Sequence, residues 1–219
     1  MRRHRATVVV IAAVASMAIG CVSTGTYEKM ETEKNLQIGT LHEKLSACEQ
    51  QKDSLQNTSQ QTQKQYEALA QNLSQEVEKG QLQVKQYRNM LSVELAEQIF
   101  FASGSATLKA DGKDVLKKVG EALKGYENKI IRVVGHTDNV PISKSPFASN
   151  WDLSVARATT VVRFLQEVGV PPERMIAAGR GEYDPVATND TPEGRQKNRR
   201  IEIMLVDKSL ADELARPEK

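Results

Sequence analysis

The 219-residue sequence predicts an α+β domain: two main helices packed on one face of a small mixed β-sheet, preceded by a long helical or coiled-coil spacer. Three observations predict it. Residues 26–97 contain no proline, only Gly39 and Gly80, and an abundance of the helix formers Gln, Glu, Lys, Leu and Ala. From residue 93 onward, short β-branched runs alternate with amphipathic stretches bounded by Gly and Pro. The run Ile130-Ile131-Arg132-Val133-Val134 ends in Gly135 and a polar tetrad, His136-Thr137-Asp138-Asn139. Polar groups at the carboxyl end of a strand stand where open sheets bind ligands.

Composition sets outer bounds. A 39% hydrophobic content permits one compact core, while 5% aromatics and a Gln-rich N-terminal half argue against a wholly globular chain. The net charge is only +2, and Lys and Arg are interspersed with Glu and Asp, so nucleic acid is not expected as a partner. Two cysteines, Cys21 and Cys48, cannot build a disulfide framework.

The elements follow in order. Arg2, Arg3 and Arg5 precede an apolar stretch, residues 7–20, and then Cys21. A charged region, a short apolar region and small residues before a cleavage point read as a secretory signal over residues 1–20. At 1.5 Å per residue this stretch rises only ~21 Å, short of a ~30 Å hydrocarbon core. Residues 21–92 read as the spacer. Leu41, Leu45, Cys48 and Leu55 share a heptad seam, continued by Tyr66, Leu69 and Leu73 and, after a one-residue slip, by Val77, Val84, Tyr87 and Leu91. Lys52, Ser59, Thr62 and Gly80 interrupt it. The seam predicts a homodimer through the spacer.

Residues 93–207 carry the domain, with residues 208–219 as a flexible tail. Residues 93–101 alternate as a first strand. Asp111 or Gly112 opens a helix bearing Val115, Leu116, Val119, Ala122 and Leu123, closed by Gly125. Residues 129–134 form the next strand. Asn150 is the expected N-cap of a helix over residues 152–168, with Asp152 matched to its dipole. Gly169 and Pro171-Pro172 stop that helix. Residues 175–178 read as a strand, residues 191–198 as a polar helical turn capped by Thr191, and residues 201–207 as the last strand. Crossover connections should be right-handed and join parallel strands.

The chemistry available is narrow. The domain holds one histidine and no cysteine. His136 has no oriented partner of the kind a triad needs, so it reads as a packing or hydrogen-bonding residue. A metal would find only His136, Asp138 and Asp152, fewer than structural zinc takes. Gly179-Arg180-Gly181 lacks the Lys and Ser/Thr of a phosphate loop. An enzyme, a cofactor and a metal site are therefore not expected. Asp138 and Arg157 fall on the two sides of one crevice, because helical side chains lean toward the N-terminus. A carboxylate takes an ammonium and a guanidinium clamps a carboxylate, so the pair suits a zwitterion. A direct Asp138–Arg157 ion pair fixing the loop is the competing reading.

Three motifs carry a resemblance. Gly-His-Thr-Asp at residues 135–138, Asn-Trp-Asp-Leu-Ser-Val-Ala-Arg-Ala at residues 150–158, and Glu-Gly-Arg-Gln-Lys-Asn-Arg-Arg-Ile-Glu at residues 193–202 resemble the C-terminal peptidoglycan-binding domain of the OmpA-like family. The resemblance implies non-covalent binding of peptidoglycan, with Asp138 and Arg157 holding the diaminopimelate of the stem peptide. It implies a pocket lined by Asn150 and Leu153, next to Thr137. Asn198, Arg199 and Arg200 match the family's Asn-Arg-Arg, with one of the two arginines expected at the crevice. The insert at residues 140–149 is similar to that of flagellar stator B subunits. Ala18-Ile19-Gly20-Cys21 resembles a lipoprotein processing box, implying a lipid anchor on Cys21. Val22, where Asp would favour the inner membrane, implies the periplasmic face of the outer membrane. A stator subunit is the alternative, although it needs a membrane helix with an ionisable Asp and residues 7–20 contain no acid. A scaffold whose long helix binds another envelope protein is a further one.

Overall fold

The computed structural model describes residues 23–87, 90–142 and 146–208. The predicted signal, Cys21, part of the insert and the tail beyond Lys208 lie outside them. The chain divides into two compact units, Met1–Asn57 and Thr58–Lys219. In the first, every described residue is exposed and, from Thr24 on, helical. This is the start of α1, which spans Thr24–Asn72.

The second unit holds the sheet. Its elements are the end of α1, α2 (Ser74–Glu78), β1 (Leu82–Tyr87), β2 (Met90–Ala96), α3 (Glu97–Phe100), α4 (Ala110–Lys124), β3 (Lys129–His136), α5 (Asn150–Glu167), β4 (Met175–Gly181), α6 (Pro192–Asn198) and β5 (Arg200–Asp207). The five strands run in the order β1-β2-β5-β3-β4. β3 and β4, joined through α5, are parallel, and the other pairs are antiparallel. The sheet is mixed, as predicted.

Alternation explains the layering. Ile131 and Val133 of β3, Ile201, Ile203 and Leu205 of β5, and Leu91, Val93 and Leu95 of β2 enter one core with Val115, Leu116, Val119 and Leu123 of α4 and Val161 and Leu165 of α5. Each such side chain contributes roughly 1.5–3 kcal/mol by leaving water.

Two boundaries differ from the sequence reading. The spacer does not stay helical to residue 92, because Gly80 at φ 66 ends α2 and Leu82–Tyr87 pairs with β2 as an edge strand. The strand predicted over residues 93–101 ends at Ala96, and Glu97–Phe100 turns into a short helix. The compact unit also reaches back into α1. Leu69 and Leu73 are in the core, and the Tyr126 hydroxyl donates to the Gln65 carbonyl at 3.0 Å.

Candidate functional site

The site begins where α5 crosses the carboxyl ends of β3 and β4. A side chain at Gly135 would collide with the Ser154 carbonyl, and one at Gly179 with the Ser154 hydroxyl. Glycine therefore lets the first turns of α5 press onto the strand ends. Ser149, not the predicted Asn150, is the N-cap: its hydroxyl accepts from the Asp152 N–H at 3.4 Å. Moving the cap back one residue places Asn150 inside the first turn, with its amide buried. Its Nδ2 donates to the Asp138 carbonyl at 3.3 Å, the Val140 carbonyl at 3.2 Å and Glu182 Oε2 at 2.6 Å. Asn150 thus ties the β3 loop to the β4 loop.

Beyond β3, the Thr137 N–H donates to the Gly181 carbonyl at 2.9 Å, and its hydroxyl to the Asp138 carbonyl at 2.9 Å. Asp138 Oδ1 accepts from the Val140 N–H at 3.1 Å, and Oδ2 pairs with Arg199 Nη1. Arg199 reaches the other way as well, with Nε 3.0 Å from Glu97 Oε2. The second oxygen of Glu97 pairs with Arg157. Four side chains form one line, Asp138–Arg199–Glu97–Arg157, in which carboxylates and guanidiniums alternate.

Arg157 differs from its predicted setting. It is 1% exposed, not at a rim, and it has no direct bond to Asp138. Nε donates to the Ser105 carbonyl at 2.9 Å, Nη2 to the Ala102 carbonyl at 3.4 Å, and the guanidinium lies 5.3 Å from the Phe101 ring centroid. Burial pushes its pKa down, and Glu97 opposes that shift. Arg199 is the more accessible guanidinium, with a side chain 33% exposed.

Thr137, Asp138, Asn150, Leu153, Arg157 and Arg199 share a crevice of about 670 Å³. Glu97, Lys109 and Arg195 also line it, so four cationic side chains face two anionic ones. The excess of positive charge suits a ligand carrying more carboxylates than amines.

Two predicted site residues lie elsewhere. Asn198 is fully buried and braces a loop: Oδ1 accepts from the Val186 and Ala187 N–H groups at 2.9 Å, and Nδ2 donates to the Ala187 carbonyl at 2.9 Å. Arg200 opens β5 and alternates with core-facing Ile201, so it points away from the core. It bonds Glu202 at 2.7 Å and the Asp184 carbonyl at 3.2 Å. Of the two arginines, Arg199 faces the crevice.

Sequence reasoning missed Glu97. The signal was present: in the predicted strand Glu97 fell on the same face as Val93 and Leu95, and a carboxylate on a core face requires a buried cation. His136 is 2% exposed, with neither ring nitrogen hydrogen-bonded. Burial, helped by the Arg200 charge, lowers its pKa to about 4, so it is neutral at pH 7. It sits outside the crevice, 3.7 Å from Glu202 and 3.9 Å from Asp184. Among the described residues no cluster of His, Cys, Asp and Glu could hold a metal, and no helix is long and apolar enough to cross a membrane.

Motility protein B of Bacillus subtilis is 39% identical over 133 residues, covering 60% of this chain and 51% of that protein. The peptidoglycan-binding protein ArfA of Mycobacterium tuberculosis is 35% identical over 107 residues, covering 49% of this chain and 32% of that one. The chain spans about half the length of the first curated relatives it matches. Among solved structures, the cell wall anchor of the T6SS from Pseudomonas aeruginosa superposes with a TM-score of 0.60 at 34% identity, covering 64% of this chain and 97% of that one. The OmpA family matches residues 100–199, an interval that holds the first two motifs, the third as far as Arg199, and the crevice residues from Phe101 to Arg199. Residues 100–199 are an OmpA family domain.

Proposed function

We propose that the domain binds peptidoglycan without chemistry, by seating the zwitterionic end of a stem-peptide diaminopimelate in the crevice. One observation carries this reading: Asp138 and Arg199 already pair at the mouth of a crevice whose floor is Glu97 and Arg157. An entering ligand can exchange that contact for two of its own. Its ammonium takes the Asp138 carboxylate, and its carboxylate takes Arg199, whose planar fork binds bidentately. Arg157 supports the floor from behind. The names of ArfA and of the cell wall anchor point the same way. Catalysis is no part of this reading.

The rest of the chain fits a tether. Acylation of Cys21 would hold the protein on the periplasmic face of the outer membrane, and the exposed seam of α1 would pair two copies. A second reading, a flagellar motor subunit, is favoured by the similarity to motility protein B. Restoration of swimming to a strain lacking its own motility protein B would support it.

Co-sedimentation of the full chain with purified sacculi tests the main reading. Asp138→Asn keeps size and hydrogen bonding but removes the charge facing the ammonium. Losing one member of a close charge pair costs ~2–5 kcal/mol, so affinity should fall at least ~20-fold. Free meso-diaminopimelate should compete better than lysine, which lacks the second carboxylate. Native binding by a folded Asp138→Asn protein would refute the assignment.

A further inference from the structure

Trp151 and Tyr183 are stacked on the surface, with ring centroids 5.5 Å apart and planes inclined by 26°. They are 45% and 66% exposed. Each is a chain neighbour of a residue that organises the crevice. Trp151 follows Asn150, and Tyr183 follows Glu182, which accepts the Asn150 amide at 2.6 Å. Gly181, at φ +56, carries the chain from β4 across the first turn of α5, and a Cβ there would lie only 3.4 Å from the Trp151 nitrogen. The Gly181 N–H is held by the Ser154 hydroxyl at 3.1 Å, and its carbonyl by Thr137. Trp151 thus stands on the first turn of α5 and Tyr183 on the hydrogen-bonded turn that leaves β4, and neither helps fill the core.

We propose that the Trp151–Tyr183 pair is a carbohydrate subsite, stacking on a pyranose ring of the glycan strand whose stem peptide enters the crevice. This rests on the peptidoglycan reading and extends it from peptide to sugar. The occupant follows from chemistry and reach. An aromatic face is electron-rich, and the flat side of a pyranose presents weakly positive C–H groups, so the two attract while expelling water. Arg180, near the end of β4, and Asp184, three residues past it, are exposed side chains 3.8 Å apart that supply a donor and an acceptor for hydroxyl groups. Diaminopimelate is the third residue of the stem, and three extended residues span up to ~10 Å. The Asn150 amide donates to the Asp138 carbonyl at 3.3 Å, and Trp151 is the next residue, so the rings and the crevice are neighbours at the start of α5.

Trp151 is the sole tryptophan, so its fluorescence reports on this place alone. The full chain in detergent is titrated with the disaccharide-tripeptide and, separately, with the same tripeptide lacking sugar. Calorimetry gives each affinity independently. Disaccharide-tripeptide should bind about tenfold more tightly and shift the Trp151 emission to the blue, while the tripeptide leaves the emission unchanged. Tyr183→Ala, checked for its fold by circular dichroism, should reduce disaccharide-tripeptide affinity about tenfold and leave tripeptide affinity alone. Equal affinity for the two ligands overturns the carbohydrate subsite but leaves the crevice reading standing, as does an equal loss for both in Tyr183→Ala. A blue shift with phospholipid vesicles and none with disaccharide-tripeptide overturns it in favour of a membrane contact. Failure of the wild-type chain to bind either ligand overturns both readings.

Discussion

Arg157 and Glu97 form an ion pair whose side chains are 2% and 6% exposed. Because Glu97 also takes Arg199, one carboxylate neutralises a buried guanidinium and aims an accessible one. Glu97→Gln would leave Arg157 as a buried, uncompensated cation. Breaking such a pair costs about 3–5 kcal/mol, which for a domain of this size lowers Tm by roughly 10 °C. Arg199→Ala should behave oppositely, with Tm nearly unchanged and sacculus binding reduced more than tenfold. Thermal unfolding of the two variants beside co-sedimentation separates the roles. A Glu97→Gln protein as stable as wild type would show that Arg157 does not depend on this contact.

His136 gives the domain a pH dependence with a definite sign. Its pKa falls from an ordinary 6.5 to about 4 in the folded chain, through burial and the Arg200 charge, with Arg180 adding and Asp184 and Glu94 opposing. Glu202, 3.7 Å away, is the other carboxylate facing the ring. Above pH 6.5 the imidazole is neutral in both states. Between pH 6.5 and about 4 the unfolded chain binds a proton that the folded chain refuses. Stability from this residue is therefore present above pH 6.5 and falls as the solution is acidified, by up to ~1.4 kcal/mol per pH unit. Urea midpoints from pH 7.5 to 4.5 should follow that slope in the wild type and flatten in His136→Gln. Parallel curves would contradict it.

The domain boundary has a measurable consequence. A fragment starting at residue 93 loses β1 and four core leucines, Leu69, Leu73, Leu82 and Leu91. At ~1.5–3 kcal/mol each, their loss approaches or exceeds the 5–15 kcal/mol that holds an ordinary domain folded. Thr58–Lys219 keeps all four. It should give a cooperative transition and dispersed amide resonances, whereas residues 93–219 should not. A well-folded shorter fragment would mean that β1 and the end of α1 are dispensable.

The sheet beyond residue 110 was legible because its signals are local: β-branched runs, a Gly or Pro stop, an amphipathic face. β1 was not, because Val77, Val84 and Leu91 are spaced by seven and fit a heptad as well as they fit separate elements. Gly80, with φ 66, decides the matter, and a glycine's φ cannot be read from its letter. At the crevice, Thr137, Asp138, Asn150, Leu153 and Arg157 sit in two contiguous motifs, so one strand-to-helix connection gathers them. Pairing was harder. Whether Arg157 meets Asp138 or Glu97 depends on where α3 turns, and that turn is set by the antiparallel register of β2 against β5. The fates of Asn198 and Arg200 depend on which residue of the Asn-Arg-Arg run begins the strand. A shift of one residue exchanges the two faces.

The spacer bears the last prediction. Leu41, Leu45 and Leu55 are 64%, 56% and 58% exposed on α1, and Cys48 on the same seam is exposed and free. Three leucines and a thiol along one stripe of a helix remain in water unless a second copy covers them. A parallel dimer would place each Cys48 beside its twin, within the ~4.4–6.8 Å Cα separation a disulfide needs, and an oxidising compartment would close the bond. Full-length Cys21→Ser protein, which cannot carry a lipid on residue 21, should run as a dimer on non-reducing gels. Cys48→Ala should remove the covalent dimer while leaving a dimer in sedimentation equilibrium, because the leucines hold it. Adding Leu41→Asn and Leu45→Asn should then yield monomer, since a polar side chain buried in the seam without a partner costs more than the seam gains there. A Cys21→Ser protein that is monomeric at micromolar concentration, with no disulfide-linked species, would assign the stripe to another partner.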